Sequence, residues 1–189
     1  MSIVLVGSTS GSITLQEPAV AGSTVLDLPA VSGTFITTAS SGQSIPSAAL
    51  PVGSVLQVVN AVVIINAQTS STTYVDTGVS ASITPKFSTS KILVVVDMAG
   101  IYKNTADIYG LMRLVRNSTE IAKMEGAYGY NGTSQENNVG VAGITYLDNP
   151  ATTSATTYKT QISVNTALGN VGIGRNGSTS SITLMEIAA

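Results

Sequence analysis

Two stretches of the chain are apolar at alternate positions and again at the positions between. In "VLQVVNAVVIINA" one alternating set is Val55, Val59, Ala61, Val63 and Ile65, and the other is Leu56, Val58, Val62 and Ile64. "KILVVVDMAGIY", Lys91 to Tyr102, repeats the pattern. Successive side chains of a strand point to opposite faces, so a strand with one wet face shows a single apolar set. These two need cover on both faces. The pattern predicts a sandwich with its core on one side of the sheet and another subunit on the other. Left open, either run is an aggregation hazard. Further strands are predicted at 73–83, 108–116, 120–124, 139–147, 156–164 and 181–187. Turn residues such as Asn117-Ser118 and Asn149-Pro150 part them at about the spacing of a sandwich. Ile108, Leu111, Met112 and Val115 also fit one face of a helix, but Gly110 and the turn at Asn117 favour a hairpin.

Residues 1–50 have a different texture, rich in Gly, Ser, Thr and Ala and broken by Pro18, Pro29 and Pro46. Leu15, Pro18, Ala19, Val20, Gly22 and Ser23 recur eleven positions later as Leu26, Pro29, Ala30, Val31, Gly33 and Thr34. Each unit reads as a short strand, a Pro-Ala-Val and a turn. Two such units cannot close a core alone, so the segment is expected to be ordered by copies of itself. A flexible linker is the alternative, but Val20, Val25, Leu26, Leu28, Val31, Phe35 and Ile36 are too apolar for one. "ASSGQSIPSAALPVG", Ala39 to Gly53, has the small, proline-punctuated character of a junction. The domains expected are therefore a stem over 1–50 and a sandwich over 51–189.

Composition narrows the function. Apolar residues make up 43% of the chain, enough for a core, while charged residues make up only 10%, against about 25% in ordinary soluble domains. A surface of hydroxyls and amides resists self-association poorly, which marks a chain that works assembled. The eight basic residues are scattered and the net charge is −2, so no nucleic-acid partner is expected. The opening lacks the charged start of a signal peptide, and Gln57 and Asn60 interrupt the longest apolar run. Synthesis in a cytoplasm and no membrane insertion are expected.

With no His and no Cys, neither a nucleophile–histidine pair nor a zinc site with nitrogen or sulfur ligands can form. Paired carboxylates of the glycosidase kind are not brought together by any spacing in the sequence, so the chain is read as non-enzymatic and without cofactor. "GIGRNG", Gly172 to Gly177, matches a dinucleotide fingerprint, but a strand rather than a helix follows it. It reads as a glycine-rich hairpin. The acids at Glu136 and Asp148 lack the alternating pattern of a calcium loop, and no metal is assigned. The region singled out is "GAYGYNGTSQENN", Gly126 to Asn138. Tyr128 and Tyr130 fall on one face if extended, and Asn131, Gln135, Asn137 and Asn138 follow. Tyrosine rings and neutral amides suit a sugar. The alternative is that both rings pack internally. Tyr102, Tyr109 and Asn104 form a weaker candidate.

"TGVSASITPKFSTSKILVVV" (Thr77 to Val96), "YLDNPATTSATTYKTQ" (Tyr146 to Gln161) and "NGSTSSITLMEIA" (Asn176 to Ala188) resemble the C-terminal jelly-roll domains of marine and cyanobacterial phage fibre and virion structural proteins. "SGSITLQEPAVAGSTVLDLPAVSGTFIT" (Ser10 to Thr37) resembles the proline-punctuated segment that often precedes such domains. The resemblance implies an all-β, antiparallel jelly roll of the tumour-necrosis-factor and complement-C1q kind. It also implies a homotrimer, an N-terminal attachment to tail or capsid proteins, location on the virion, and a knob whose loops meet host-surface polysaccharide. A capsid decoration protein and a free glycan-binding lectin are the alternatives it leaves open.

Overall fold

A computed structural model of the chain describes residues 3–6, 12–15, 50–132 and 137–189. The chain divides into two compact units, Met1–Ser44 and Ile45–Ala189. In the first, β1 (Ile3–Val6) and β2 (Ser12–Leu15) form an antiparallel hairpin with Ile3 opposite Leu15 and Val6 opposite Ser12. The eleven-residue repeat beyond Leu15, and the stem expected from it, lie outside the described residues.

The second unit is built from ten strands: β3 (Val55–Ile64), β4 (Ala67–Thr69), β5 (Val75–Ile83), β6 (Lys91–Lys103), β7 (Gly110–Arg116), β8 (Thr119–Tyr128), β9 (Asn137–Asp148), β10 (Thr156–Val164), β11 (Val171–Ile173) and β12 (Thr179–Ile187). Every pairing among them is antiparallel. One sheet has the order β5-β10-β7-β8; the other runs β3-β12-β6 and is closed on its far side by β9. Apart from the β7-β8 hairpin, neighbours in these two sheets come from distant parts of the chain, which is the connectivity of two interlocked Greek keys. The unit is an all-β, antiparallel jelly roll. Among the described residues no helix is long and apolar enough to cross a membrane.

Alternation explains the layers. On β5, Thr77, Val79, Ala81 and Ile83 point inward while Asp76, Ser80 and Ser82 face out. They meet Ile92, Val94, Val96 and Met98 of β6, Met112 and Leu114 of β7, Tyr158 and Ile162 of β10, and Ile182 and Leu184 of β12 in one core. The segment 108–116 is a strand hairpin rather than a helix: β7 turns through Asn117, at φ 54°, into β8. Asn117 backs that turn by accepting the Thr157 amide on its Oδ1 at 2.9 Å.

Two buried carboxylates anchor the fold, one between the layers and one between β12, β3 and the β5–β6 connection. Asp148 on β9 accepts from Arg116 Nη1 at 2.9 Å and from the Tyr158 hydroxyl at 2.7 Å, so one acid ties its own sheet to β7 and β10 of the other. Burial, and then the bond to Asp148, push the Tyr158 hydroxyl pKa up, so it stays a donor. Glu186 on β12 has no exposed surface. Its Oε1 accepts the Lys86 and Phe87 amides at 2.7 and 3.3 Å, and its Oε2 accepts Gln57 Nε2 at 2.5 Å.

The "GIGRNG" segment corrects one expectation. β11 and β12 do not pair with each other; both pair with the same side of β6, at Tyr102–Lys103 and at Lys91–Asp97. The segment is a 3₁₀ turn, Arg175–Gly177, inside one interrupted strand. Gly174 starts it at φ 75°, where an added Cβ would lie 1.4 Å from the Ile65 carbonyl oxygen. The glycine serves the fold, and no phosphate-cradling helix follows it.

Candidate functional site

At one end of the sandwich the loops after β6, β8 and β10 converge. Asn104 donates its amide to the Asn170 carbonyl at 3.1 Å, and Asn104 Oδ1 accepts the Asn170 amide at 2.6 Å. Tyr109 and Asn165 are cross-bonded: the Tyr109 amide donates to Asn165 Oδ1 at 2.8 Å, and the Asn165 amide to the Tyr109 carbonyl at 3.1 Å. Beneath them Lys103, with no exposed surface, donates from Nζ to the carbonyls of Thr105 and Asn131 at 2.7 and 3.1 Å. A buried ammonium must be satisfied locally, and these bonds fix the start of two loops at once.

The tyrosines part company here. Tyr128, the last residue of β8, is buried, with its ring lying where a side chain at Gly110 would stand. Burial, and then the neighbouring Tyr102, push its hydroxyl pKa up. Gly129 at φ 76° ends the strand's alternation, so Tyr128 and Tyr130 do not share a face, and Tyr128 is a core residue rather than a stacking surface. Tyr130 is exposed and packs edge-to-face against half-buried Tyr109, with ring centres 6.3 Å apart at 70°. Its hydroxyl lies 3.5 Å from Asp107 Oδ1. Asn131 is half-buried and gives its carbonyl to Lys103 and to the Asp107 amide. The two stretches considered separately, 102–109 and 126–138, therefore meet through Tyr109 and Tyr130, with Asp107 the addition. Gln135 lies outside the described residues. Asn137 opens β9 opposite Lys103, and Asn138, exposed, opposite Tyr102. Asn138 lines a different feature, an open cleft of about 340 Å³ shared with Ala99, Val141, Arg175, Asn176 and Ser178.

The second feature is a contrast between the two outward sheet faces. On the β5-β10-β7-β8 sheet, Asp76 pairs with Lys159 at 2.8 Å and accepts Gln161 Nε2 at 2.6 Å. These bonds, Lys159 first, hold the Asp76 carboxyl below its ordinary value. Beside them Arg113 pairs with Glu120 at 2.9 Å and lies 3.9 Å over the Tyr74 ring. That face suits water. On the other sheet, register sets Val58, Met185, Leu93 and Leu147 side by side on β3, β12, β6 and β9. Val62, Ile64 and Val141 add to the same outward face. Of these, Val58, Val62, Ile64, Val141 and Leu147 are exposed, each at 51–69%. Among the described residues no group of three or more acidic side chains is placed to hold a metal.

No protein family matches the sequence, and no curated protein matches it. Among solved structures, a crystal structure of the infectious bursal disease virus VP2 subviral particle aligns over 72% of this chain, at 11% identity and a TM-score of 0.40. The chain spans 38% of that protein's chain. The jelly-roll assignment rests on the strand order found here.

Proposed function

We propose that the chain is a non-enzymatic structural subunit of a virion, assembled as a homotrimer through the outward face of the β3-β12-β6-β9 sheet. The observation that carries the assembly is the apolar row Val58, Met185, Leu93 and Leu147, on a molecule whose other sheet face is an ion-paired network. Contiguous exposed apolar surface on a soluble protein marks a contact, and closed symmetry is the usual way to cover it. The number three and the virion location follow the resemblance of the sequence to phage fibre domains. In this reading the subunit is a tail fibre, residues 1–50 join it to other virion proteins, and the end carrying Tyr109, Tyr130 and Asp107 faces host polysaccharide.

Native mass measurement of the full chain tests the assembly, with three copies expected. Val62→Asp, which puts a charge in the covered face, should give single chains with an unchanged circular-dichroism spectrum. A wild-type chain that stays single at micromolar concentration refutes the proposal. Electron microscopy of antibody-labelled virions tests the location: label along tail fibres supports it, and label spread over the shell favours a decoration role.

A further inference from the structure

The loops that converge after β6, β8 and β10 carry charge of one sign. Across residues 104–109, 126–132 and 165–170, Asp107 is the single charged side chain. It is exposed. Its backbone sits at φ 55°, and its amide donates to the Asn131 carbonyl at 3.1 Å. Those constraints hold the carboxylate beside the exposed Tyr130 ring, whose hydroxyl lies 3.5 Å from Oδ1. Among the described residues Asp107 makes no ion pair. The nearest cation along the chain, Lys103, has no exposed surface and is committed to the Thr105 and Asn131 carbonyls.

Two side-chain amides in the same loops are oriented as donors. Asn104 Oδ1 accepts the Asn170 amide at 2.6 Å and the Thr105 hydroxyl at 3.0 Å. Asn165 Oδ1 accepts the Tyr109 amide at 2.8 Å. With both oxygens taken, each side chain has its NH2 group left to offer, and among the described residues neither NH2 makes a hydrogen bond. A carboxylate only accepts, and an amide NH2 only donates. A sugar hydroxyl does both, so neighbouring hydroxyls of one ring can donate to Asp107 and accept from an asparagine. The C–H face of that ring suits Tyr130, which meets Tyr109 edge-to-face, with Leu168 exposed in the adjoining loop.

We infer that this end of the sandwich takes an uncharged sugar, held by neighbouring hydroxyls that bridge Asp107 and an asparagine amide, and rejects sugars that carry a carboxylate. The inference rests on the polysaccharide reading proposed above and adds the class of sugar. An acidic sugar brings like charge against Asp107 where no exposed cation answers it, and like-charge contacts are costly. The opposing influence is the buried Lys103 ammonium. It lies behind the loop backbone with its donors turned to carbonyls, so it offers an anion no hydrogen bond, whereas Asp107 stands at the surface where a ligand makes contact. A hydroxyl bonded to a carboxylate is also held more strongly than one bonded to a neutral oxygen. The same side chain therefore binds the neutral sugar and excludes the acidic one.

The test passes the full chain over biosensor surfaces coated with neutral polymers (dextran, mannan, galactan) or acidic ones (polygalacturonate, alginate). Retention is expected on at least one neutral polymer and on neither acidic one. Added salt should leave it unchanged, because no exposed charge pair is there to be screened. Asp107→Asn keeps an oxygen acceptor and suits a left-handed backbone, so the loop holds its shape. It should weaken retention on the neutral polymer about tenfold, the usual effect of losing a hydrogen bond to a charge. Retention on a neutral polymer that Asp107→Asn leaves intact overturns the inference, since the carboxylate then holds no hydroxyl. Retention on an acidic polymer overturns it too, because the Lys103 charge then outweighs Asp107. Retention on none of these surfaces defeats the polysaccharide reading itself.

Discussion

Replacing Glu186 by Gln removes one charge and almost no volume, at a site with no exposed surface. The carboxylate accepts two backbone amides, from Lys86 and Phe87, on Oε1 and the Gln57 side chain on Oε2. Gln keeps one oxygen acceptor and turns an NH2 toward a donor. At least one charge-assisted bond is lost and one donor is left facing another. At about 1.5–3 kcal/mol per hydrogen bond to a charge, the expected loss is about 3 kcal/mol, or about 6–12 °C in Tm for a protein of this size. The pH dependence gives a second readout. Burial raises the Glu186 carboxyl, but Ser90, Gln57 and the Lys86 and Phe87 amides outweigh it, so in the folded chain it titrates below its ordinary value of 4.5. A depressed folded value means that the contribution is complete above 4.5 and is lost as pH falls toward the folded value. Thermal melts of wild type and Glu186→Gln from pH 7 down to pH 3 should therefore converge as acid is added. A variant as stable as wild type at pH 7, or a gap constant across the series, refutes this account of the site.

Three further outcomes follow. Tyr158→Phe removes the 2.7 Å donor to Asp148 and should cost about 2 kcal/mol by chemical denaturation; an unchanged midpoint shows that Arg116 alone satisfies the acid. Gly174→Ala meets both a left-handed backbone and the Ile65 carbonyl. It should cost about 3 kcal/mol or more, and a soluble variant with wild-type melting contradicts the tight approach. Tyr130→Ala should weaken retention on host polysaccharide about tenfold, near the upper end of what aromatic contacts contribute, while Tyr128→Phe should leave it unchanged. Equal losses from both, in folded protein, contradict the separation of the two rings.

Much of the jelly roll was legible in period-two patterning, because one-sided burial writes itself directly into alternation. β10 matches its expected span of 156–164 residue for residue, since Thr156, Tyr158, Thr160, Ile162 and Val164 all face the core. The doubly apolar Val55–Ile65 run was legible for the same reason: Val59, Ala61 and Val63 pack inward while Val58, Val62 and Ile64 face out. What the alternation could not show was pairing across long loops. β4 and β11, three residues each, exist because they pair with each other and β11 with β6, and neither carries a pattern of its own. The meeting of Tyr109 with Tyr130 is likewise a product of strand order. The misplacement of Tyr128 has a local cause in Gly129 and in the room left by Gly110, and the glycines were the available signal.

The central claim is that copies of this chain cover the outward β3-β12-β6-β9 face. Methionine oxidation tests it most directly, because Met185 lies on that face and Met124 on the other sheet, both half-buried in a single chain. Oxidation rates of the two, followed by mass spectrometry over a concentration series, should show Met185 increasingly protected as the chain associates and Met124 unchanged. A Met185 rate that does not depend on concentration, whether fast or slow, would contradict the claim.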